Sequence, residues 1–324
     1  MKKETIGILC GDIEFTYKNP ISRTDSYGND ILDKLYQIVK LSKQIKADFV
    51  CFSGDFMNRK YDFNCKEIIA LQVVFKHFDI PIIAIAGNHD IVGYNFSSKN
   101  YKPIGILEQT GIKILNNDEI KINNVLISGT SYYRNIDIDR EAYYYHGNDK
   151  DNFKIGLTHG CLIGFGTENS PNSFFGDFTT IKDIEDTNYD LIFNGHWHQN
   201  QGILNRNGKI FCNIGSIGRD DISLYNHKPQ VLVVKIDENN NSNIELFPLK
   251  INNPENVFII SEEKQEQDDT LISDYMRELI NHDKNNSFIS DIDLIHKVIQ
   301  DKNVSDDVKR VIEQIIEEND YNDR

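Results

Sequence analysis

Side chains able to bind metals or transfer protons recur at the ends of short apolar runs in this sequence. The stretch Ala86-Gly87-Asn88-His89-Asp90 directly follows the apolar run at residues 81–85. Asn88 is a neutral oxygen ligand, His89 an acid or base, and Asp90 a carboxylate able to hold the His89 ring. Because Asn and Gly are also common in turns, this stretch could equally be an ordinary loop. Candidate residues elsewhere in the chain are needed to support a functional site.

Two further segments carry such side chains two residues apart, a spacing at which extended backbone points both the same way. Asp12 and Glu14 follow the apolar run at residues 5–10, and His196 and His198 follow the run at 190–194. Two facing carboxylates are costly unless a cation lies between them. The alternative for the acidic pair is a solvated loop.

The complete candidate set has one property in common, a position just after an apolar run. It comprises Asp12, Glu14, Asp55, Asn88, His159, His196 and His198. Carboxylate, amide and imidazole ligands together suit Mn²⁺, Fe²⁺ or Zn²⁺. Seven ligands are too many for one ion, whereas a bridging carboxylate allows a two-metal site that holds a phosphate ester in line for attack.

The elements that must position these residues alternate between strand and helix. Strands are predicted at 5–10, 48–53, 81–85, 112–115, 119–122, 125–130, 153–158, 190–194, 230–236 and 244–249, and helices at 31–46, 64–78 and 104–109. Asn29 or Asp30 is the predicted cap of the first helix. Strands alternating with helices predict a parallel sheet, whose carboxyl edge would collect the candidates.

Composition limits the partners. The 324 residues include 35 Lys plus Arg and 50 Asp plus Glu, for a net charge of −15. That charge argues against a protein that coats DNA by bulk electrostatics, but not against a nuclease, because bound metal ions add local positive charge. The Tyr143-Tyr144-Tyr145 patch is expected to pack on the protein's own surface; base stacking is the alternative.

Cysteine usage and hydropathy predict a reduced, cytoplasmic protein without membrane association. The five cysteines are scattered and form no Cys-x-x-Cys pair. No apolar run has the length of a membrane span, and the run after Lys2 and Lys3 is too short for a signal peptide. A composition shift divides the chain into a catalytic domain at 1–250 and an acidic helical tail at 251–324, a candidate capping or partner-binding segment.

In chain order, five motifs resemble those of the calcineurin-like metallophosphoesterases. They are Gly11-Asp12, Gly54-Asp55-x-x-Asn58-Arg59, Gly87-Asn88-His89-Asp90, Thr158-His159-Gly160 and Gly195-His196-Trp197-His198. The resemblance covers about residues 5–250. It implies an α/β sandwich of two mixed sheets flanked by helices, and a metal-dependent phosphoric-ester hydrolase.

The resemblance also implies roles for individual residues. Asp12 and His198 would bind the first metal, Asp55 would bridge, and Asn88, His159 and His196 would bind the second. His89 would stabilise the transition state or protonate the leaving oxygen, and Asp90 would orient His89. We further expect Asn58, Arg59 and Arg219 to contact the substrate.

One position departs from the family pattern, which usually has Asp-x-His in its first motif where this chain has Asp12-Ile13-Glu14. Glu14 would be an oxygen ligand that favours Mn²⁺ or Mg²⁺. Alternatively, the first metal is weakly bound or absent.

The loop at residues 19–27 and the strand at 244–249 resemble the SbcD-type DNA-repair nucleases, including phage versions. That resemblance implies an Mn²⁺-dependent, homodimeric exonuclease or endonuclease that cuts DNA ends or single strands beside an SbcC-type coiled-coil ATPase. Two alternatives stay open: a phosphodiesterase or phosphatase acting on small nucleotides or phosphoproteins, and a catalytically weak scaffold protein.

Overall fold

Two six-stranded sheets, packed face to face, are built from the residues that the computed structural model describes, 4–171 and 176–259. Numbered along the chain, the strands are β1 (Glu4–Cys10), β2 (Phe49–Phe52), β3 (Ile82–Ile85), β4 (Ile112–Leu115), β5 (Asp118–Ile122), β6 (Val125–Gly129), β7 (Phe153–Thr158), β8 (Leu162–Ile163), β9 (Thr179–Thr180), β10 (Leu191–Asn194), β11 (Gly202–Arg206), β12 (Lys209–Asn213), β13 (Gln230–Asp237) and β14 (Ser242–Pro248).

The first sheet has the order β14-β13-β1-β2-β3-β4 and the second β11-β12-β10-β7-β6-β5. In the first sheet the parallel strands β1 to β4 are followed on one side by the antiparallel pair β13 and β14. In the second sheet a parallel centre has an antiparallel strand at each edge. The predicted sandwich of two mixed sheets is therefore confirmed. The expectation of one parallel sheet, drawn from the strand and helix pattern, is wrong, because β7, β10 and β12 pair with each other rather than with β1.

Three α-helices in this part of the chain, α1 (Tyr27–Ile45), α2 (Cys65–Phe75) and α3 (Pro103–Glu108), pack on the first sheet. Short 3-10 helices occur at Phe96–Tyr101, Arg140–Tyr143, Ile181–Ile184, Ile222–Leu224 and Pro254–Asn256. Strand β1 shows the layering: Ile8 and Cys10 face the helices, and Leu9 between them faces the second sheet. Side chains alternate in this way because successive strand residues point to opposite faces.

Helix starts depend on local capping. Asn64 caps α2 through a capping box with Glu67. Helix α1 begins after Ser26, so the predicted cap at Asn29 or Asp30 is wrong. The Asn19 side chain accepts a hydrogen bond from the Tyr27 backbone N–H at 2.9 Å and satisfies the first turn from a distance.

The tyrosine patch packs as expected. Tyr143 and Tyr145 are buried in the apolar layer on the outer face of the second sheet, so neither ring is available to a base. Four of the five cysteines are buried and Cys65 is exposed. None of the helices described here is long and apolar enough for a membrane crossing. Most of the predicted tail, from residue 260 on, lies outside the described residues.

Candidate dimetal centre

The seven candidate ligands lie on loops that leave the carboxyl ends of five strands. Asp12 and Glu14 follow β1, and Asp55 follows β2. Asn88 follows β3, His159 follows β7, and His196 and His198 follow β10. Since β1 to β3 belong to one sheet and β7 and β10 to the other, the cluster sits where the two sheets meet.

Three carboxylates in the cluster are almost fully buried, those of Asp12, Glu14 and Asp55. Oδ1 of Asp12 accepts a hydrogen bond from the Ser53 hydroxyl at 2.8 Å. Within the described structure, Asp12 Oδ2 and Glu14 Oε1 are buried without a hydrogen-bond partner. Buried carboxylate oxygens left unpartnered are costly unless a cation neutralises them, so this arrangement favours cation binding.

Glu14 lies inside the centre. Its Oε1 is 3.4 Å from His198 Nε2 and 3.5 Å from His89 Nδ1. Its Oε2 accepts a hydrogen bond from Asn58 Nδ2 at 2.9 Å. The side chain is fully buried, which excludes the alternative of a solvated acidic loop.

His159 and His196 meet on the Asn88 side chain. His159 Nε2 is 3.1 Å from Asn88 Oδ1 and 3.2 Å from Asp55 Oδ2, and His196 Nδ1 is 3.0 Å from the same Asn88 oxygen. His159 Nδ1 donates to the Ser53 carbonyl at 2.7 Å. That hydrogen bond fixes the tautomer and leaves Nε2 to face the centre.

The charges in the cluster perturb one another. Burial raises the pKa of Asp12 to about 6, although the His159 charge opposes the shift. Burial lowers the pKa of His198, but Glu14 and Asp12 outweigh it and raise the pKa to about 10. Burial and the neighbouring His159 lower the pKa of His196 to about 3, so its imidazole is neutral. Strongly perturbed groups of this kind concentrate at functional sites.

Backbone strain also concentrates here. Glu14, Asp55 and His196 have φ of 53°, 44° and 69°, in the left-handed region that side chains rarely adopt. A Cβ on Gly87 would lie 2.1 Å from Asp55 Oδ1, so only glycine lets the loop after β3 approach that carboxylate. Strained residues persist where the surrounding structure holds them, typically at functional sites.

The donor set fits two divalent ions. One group able to hold an ion comprises Asp12, Asp55 and His198, and a second comprises Glu14, Asp55 and His89. Asp55 belongs to both groups, as a bridging carboxylate would. Together with the unpartnered oxygens of Asp12 and Glu14, this sharing makes the cluster a candidate dimetal centre.

The predicted role of Asp90 as the residue that orients His89 is wrong. Its Oδ1 accepts a hydrogen bond from the Phe56 N–H at 3.0 Å, and its Oδ2 accepts one from the Gly87 N–H at 2.9 Å. The carboxylate facing the His89 ring belongs to Glu14. Asp90 instead ties together the loops after β2 and β3.

The three predicted substrate contacts have different positions. Asn58 lies at the centre and donates to both Glu14 and Asp220. Arg59 pairs with Asp62 at 2.6 Å near the surface. The prediction for Arg219 is wrong: its side chain is buried, donates to the Asn252 carbonyl at 2.9 Å and lies over the Phe258 ring.

Two residues that contact the proposed metal ligands, Asp220 and Tyr132, were not predicted from the sequence. Asp220 Oδ1 lies 3.9 Å from His198 Nδ1, so this carboxylate supports the imidazole from outside the ligand set. Its neighbour Asp221 makes the pair look like a solvated turn in the sequence. Tyr132 packs on His159 and His196 with ring centres 6.1 Å and 6.0 Å away. No sequence signal distinguished Tyr132 from the other tyrosines.

Comparisons with known proteins place the chain. Residues 8–200 match the family model described as calcineurin-like phosphoesterase. No curated protein sequence matches the chain.

Three solved structures have similar backbones. The first, named as a candidate 5′-nucleotidase from Staphylococcus aureus, is 15% identical with a TM-score of 0.47; the match covers 83% of this chain and 58% of that chain. The second is the calcineurin-like phosphoesterase YfkN from Bacillus subtilis (14% identity, TM-score 0.44, 77% and 93% covered). The third is a dimetal phosphatase from Danio rerio, which is 9% identical with a TM-score of 0.46; the match covers 76% of this chain and 99% of that chain.

Proposed function

The chain belongs to the calcineurin-like phosphoesterase family, and from that premise we propose that it is a two-metal-dependent phosphodiesterase that cuts DNA. The observation that carries the hydrolase part is the buried carboxylate cluster, in which Asp55 is common to two groups able to hold an ion. When bound, two divalent ions supply the positive charge that polarises a phosphodiester.

The proposed ligand roles follow the family resemblance, although the geometry alone also groups Glu14 with Asp55 and His89. Asp12, Glu14 and His198 would hold one ion, and Asn88, His159 and His196 the other, with Asp55 between them. Mn²⁺ is the proposed metal because Glu14 adds a hard oxygen ligand. Mg²⁺, Fe²⁺ and Zn²⁺ are the ions to compare.

His89 is the proposed proton donor to the leaving oxygen. Its side chain is 29% exposed, so a substrate arriving from solvent can reach the ring. Burial lowers the pKa of His89, but the Glu14 contact and the charges of Asp55 and Glu14 outweigh it and raise the pKa to about 10. These carboxylates therefore favour the protonated form of the ring. The Asp55 Oδ1 oxygen, which accepts the His89 backbone N–H at 2.8 Å, fixes its position.

Action on DNA is the finer part of the proposal. It is supported by the resemblance of residues 19–27 and 244–249 to the SbcD-type nucleases. By the same resemblance, we propose that the chain forms a homodimer and works with a coiled-coil ATPase of the SbcC type, with the acidic tail as the docking segment. Light scattering of the full chain tests the dimer: a monomer mass at micromolar concentration contradicts it.

The decisive experiment is cleavage of end-labelled single- and double-stranded DNA by Mn²⁺-loaded protein, beside His89→Ala. Cutting by the wild type, with at least a hundredfold loss in the variant, is the expected outcome. Hydrolysis of small nucleotide diesters with DNA left intact would overturn the DNA substrate and retain the hydrolase. Loss of activity on every phosphoester would favour the scaffold alternative.

A further inference from the structure

We propose that Tyr94, stacked on Tyr132, forms a platform for an unpaired nucleobase next to the scissile phosphate. This inference rests on the proposed function and narrows its substrate to nucleic acid that presents a single-stranded segment. The platform is defined by Tyr94, Tyr132 and Arg134.

The platform is joined to the dimetal centre by direct ring contacts. The ring centres of Tyr94 and Tyr132 lie 5.9 Å apart with an interplanar angle of 24°, a stacked arrangement. Tyr132 in turn lies 6.0 Å from the His196 ring. Tyr94 is thus only one ring removed from a proposed metal ligand. A nucleotide whose phosphate lies at the centre can extend its base along this row.

The backbone fixes both tyrosines beside the site. Tyr132 follows β6, and its N–H donates to the Ala86 carbonyl at 2.8 Å, at the end of β3. Tyr94 lies on the loop after β3, the loop that also carries Asn88. The platform therefore spans the junction of the two sheets, as the metal ligands do, and its position relative to them is set by short loops.

Tyr94 adopts a conformation that its side chain disfavours. The Asn95 N–H donates to the Val92 carbonyl at 3.0 Å, which closes a tight turn with Gly93 and Tyr94 at its tip. Both tip residues have φ of 57°. Turns of this type favour Asn-Gly at the tip, and a bulky aromatic there is an outlier. The turn holds the ring in this position although glycine would fit it better.

Exposure and charge suit a nucleic-acid strand. Tyr94 is 46% exposed although it is a large aromatic residue. The Arg134 guanidinium lies 5.4 Å from the centre of the Tyr94 ring. Within the described residues Arg134 forms no ion pair, and its guanidinium adds positive charge beside the Tyr94 ring. Sequence-tolerant binding of single strands combines aromatic stacking with positive charge in this way.

Binding of labelled oligonucleotides tests the platform. Fluorescence anisotropy is measured with Mn²⁺-loaded His89→Ala protein, which limits cleavage, on a single-stranded oligonucleotide and on an abasic strand of equal length. We expect the base-bearing strand to bind about fivefold tighter or more. When Tyr94→Ala or Tyr94→Gly is added to His89→Ala, the ratio of the affinities for the base-bearing and abasic strands should fall close to one. The glycine variant also relieves the turn, so misfolding does not explain its loss.

Two variants serve as controls. Tyr94→Phe keeps the aromatic ring and should keep the affinity ratio between the base-bearing and abasic strands. Tyr36→Ala removes a tyrosine of similar exposure, 41%, on α1, which packs on His77 just after α2. This variant should also keep the affinity ratio between the two strands. An unchanged ratio in Tyr94→Ala, equal binding of the two strands by the protein with Tyr94 intact, or no binding at all overturns the inference.

The two proposals fail separately. DNA cleavage by the wild type without any base dependence of binding removes the platform and leaves the nuclease. Base-dependent binding that requires Tyr94, without cleavage of any DNA, removes the nuclease and leaves a nucleotide-binding site.

Discussion

Glu14 lies where the family resemblance leads us to expect a histidine. The glutamate adds a third buried carboxylate beside Asp12 and Asp55. Three contacts hold it: His198, His89 and the Asn58 amide. Together with the strained φ of 53°, these contacts indicate a position built into the centre rather than a tolerated substitution.

Glu14→Gln tests that interpretation. The amide keeps an oxygen for Asn58 but removes the charge, so we expect Mn²⁺ affinity to fall about tenfold or more. Titration calorimetry measures the change. The control is Asp190→Asn, which changes a half-buried carboxylate just before β10, at the opposite end of that strand from the cluster, where it accepts the Lys154 N–H at 2.8 Å. Equal Mn²⁺ affinity in Glu14→Gln and wild type would show that Glu14 is not a ligand.

At the scale of elements, the site depends on loops from several strands that must converge on the same position. Asp90 contributes by accepting the N–H groups of Phe56 and Gly87, one from each of two loops. The neighbouring Asp55 is a proposed ligand, so the position of Asp90 affects the centre without contact to a substrate. Asp90 is a positioning residue.

Asp90→Ala would leave both N–H groups buried without an acceptor. We expect a loss of about 2–6 kcal/mol in the free energy of unfolding, since each of the two unsatisfied groups costs about 1–3 kcal/mol. Asp90→Asn keeps one acceptor oxygen and should lose about half as much. Urea denaturation gives the values, and wild-type stability of the alanine variant is the contradicting result.

The segment between the 3-10 helix Ile222–Leu224 and β13 carries a buried histidine with a separate pH dependence. His227 Nε2 donates to the Ser216 carbonyl at 2.8 Å. Burial lowers the pKa of His227 from 6.5 to about 4, although this hydrogen bond opposes the shift. Between about pH 6.5 and pH 4, His227 is therefore protonated in the unfolded chain but neutral in the folded chain.

The stabilisation from neutral His227 is complete above pH 6.5 and is lost as the pH falls toward 4, by about 2–3 kcal/mol. His227→Gln keeps a donor for Ser216 but does not titrate, so its unfolding free energy should fall less over this range. Urea unfolding in chelator at several pH values measures the difference. The exposed His146, changed to Gln, is the control, and a matching effect there contradicts the prediction.

At the scale of the whole molecule, the centre draws ligands from both sheets, which are held together by an apolar layer that includes Leu9, Phe49, Leu157 and Phe193. Separating the sheets would therefore dismantle the metal site. A ligand that binds only the folded state stabilises it in proportion to the logarithm of its concentration. Metal binding and global folding should thus be linked.

Mn²⁺ at a hundredfold excess over Kd should stabilise the protein by about 2.7 kcal/mol and raise Tm by about 5 °C or more. Chelation should reverse the shift. Differential scanning fluorimetry measures both. Asp55→Asn removes the carboxylate common to both metal groups, and its Tm should not respond to Mn²⁺. An equal shift in that variant would place the metal elsewhere.

The sequence alone determined the types of the candidate ligands, their spacing and most of the strands that carry them. These features are local: an apolar run sets a strand, and the residue after it lies at the strand end. The resemblance supplied the second sheet, which the strand and helix pattern missed because strand pairing joins residues far apart in the chain.

Only the tertiary structure decided which side chains face one another. It placed Glu14 rather than Asp90 against His89, buried Arg219 against the Phe258 ring, brought Asp220 to His198 and stacked Tyr94 on Tyr132. In each of these contacts, the orientation of the side chains depends on loop conformation, which no local sequence pattern determines. Their geometry follows from the packing of two sheets and the loops between them, which is a property of the whole fold.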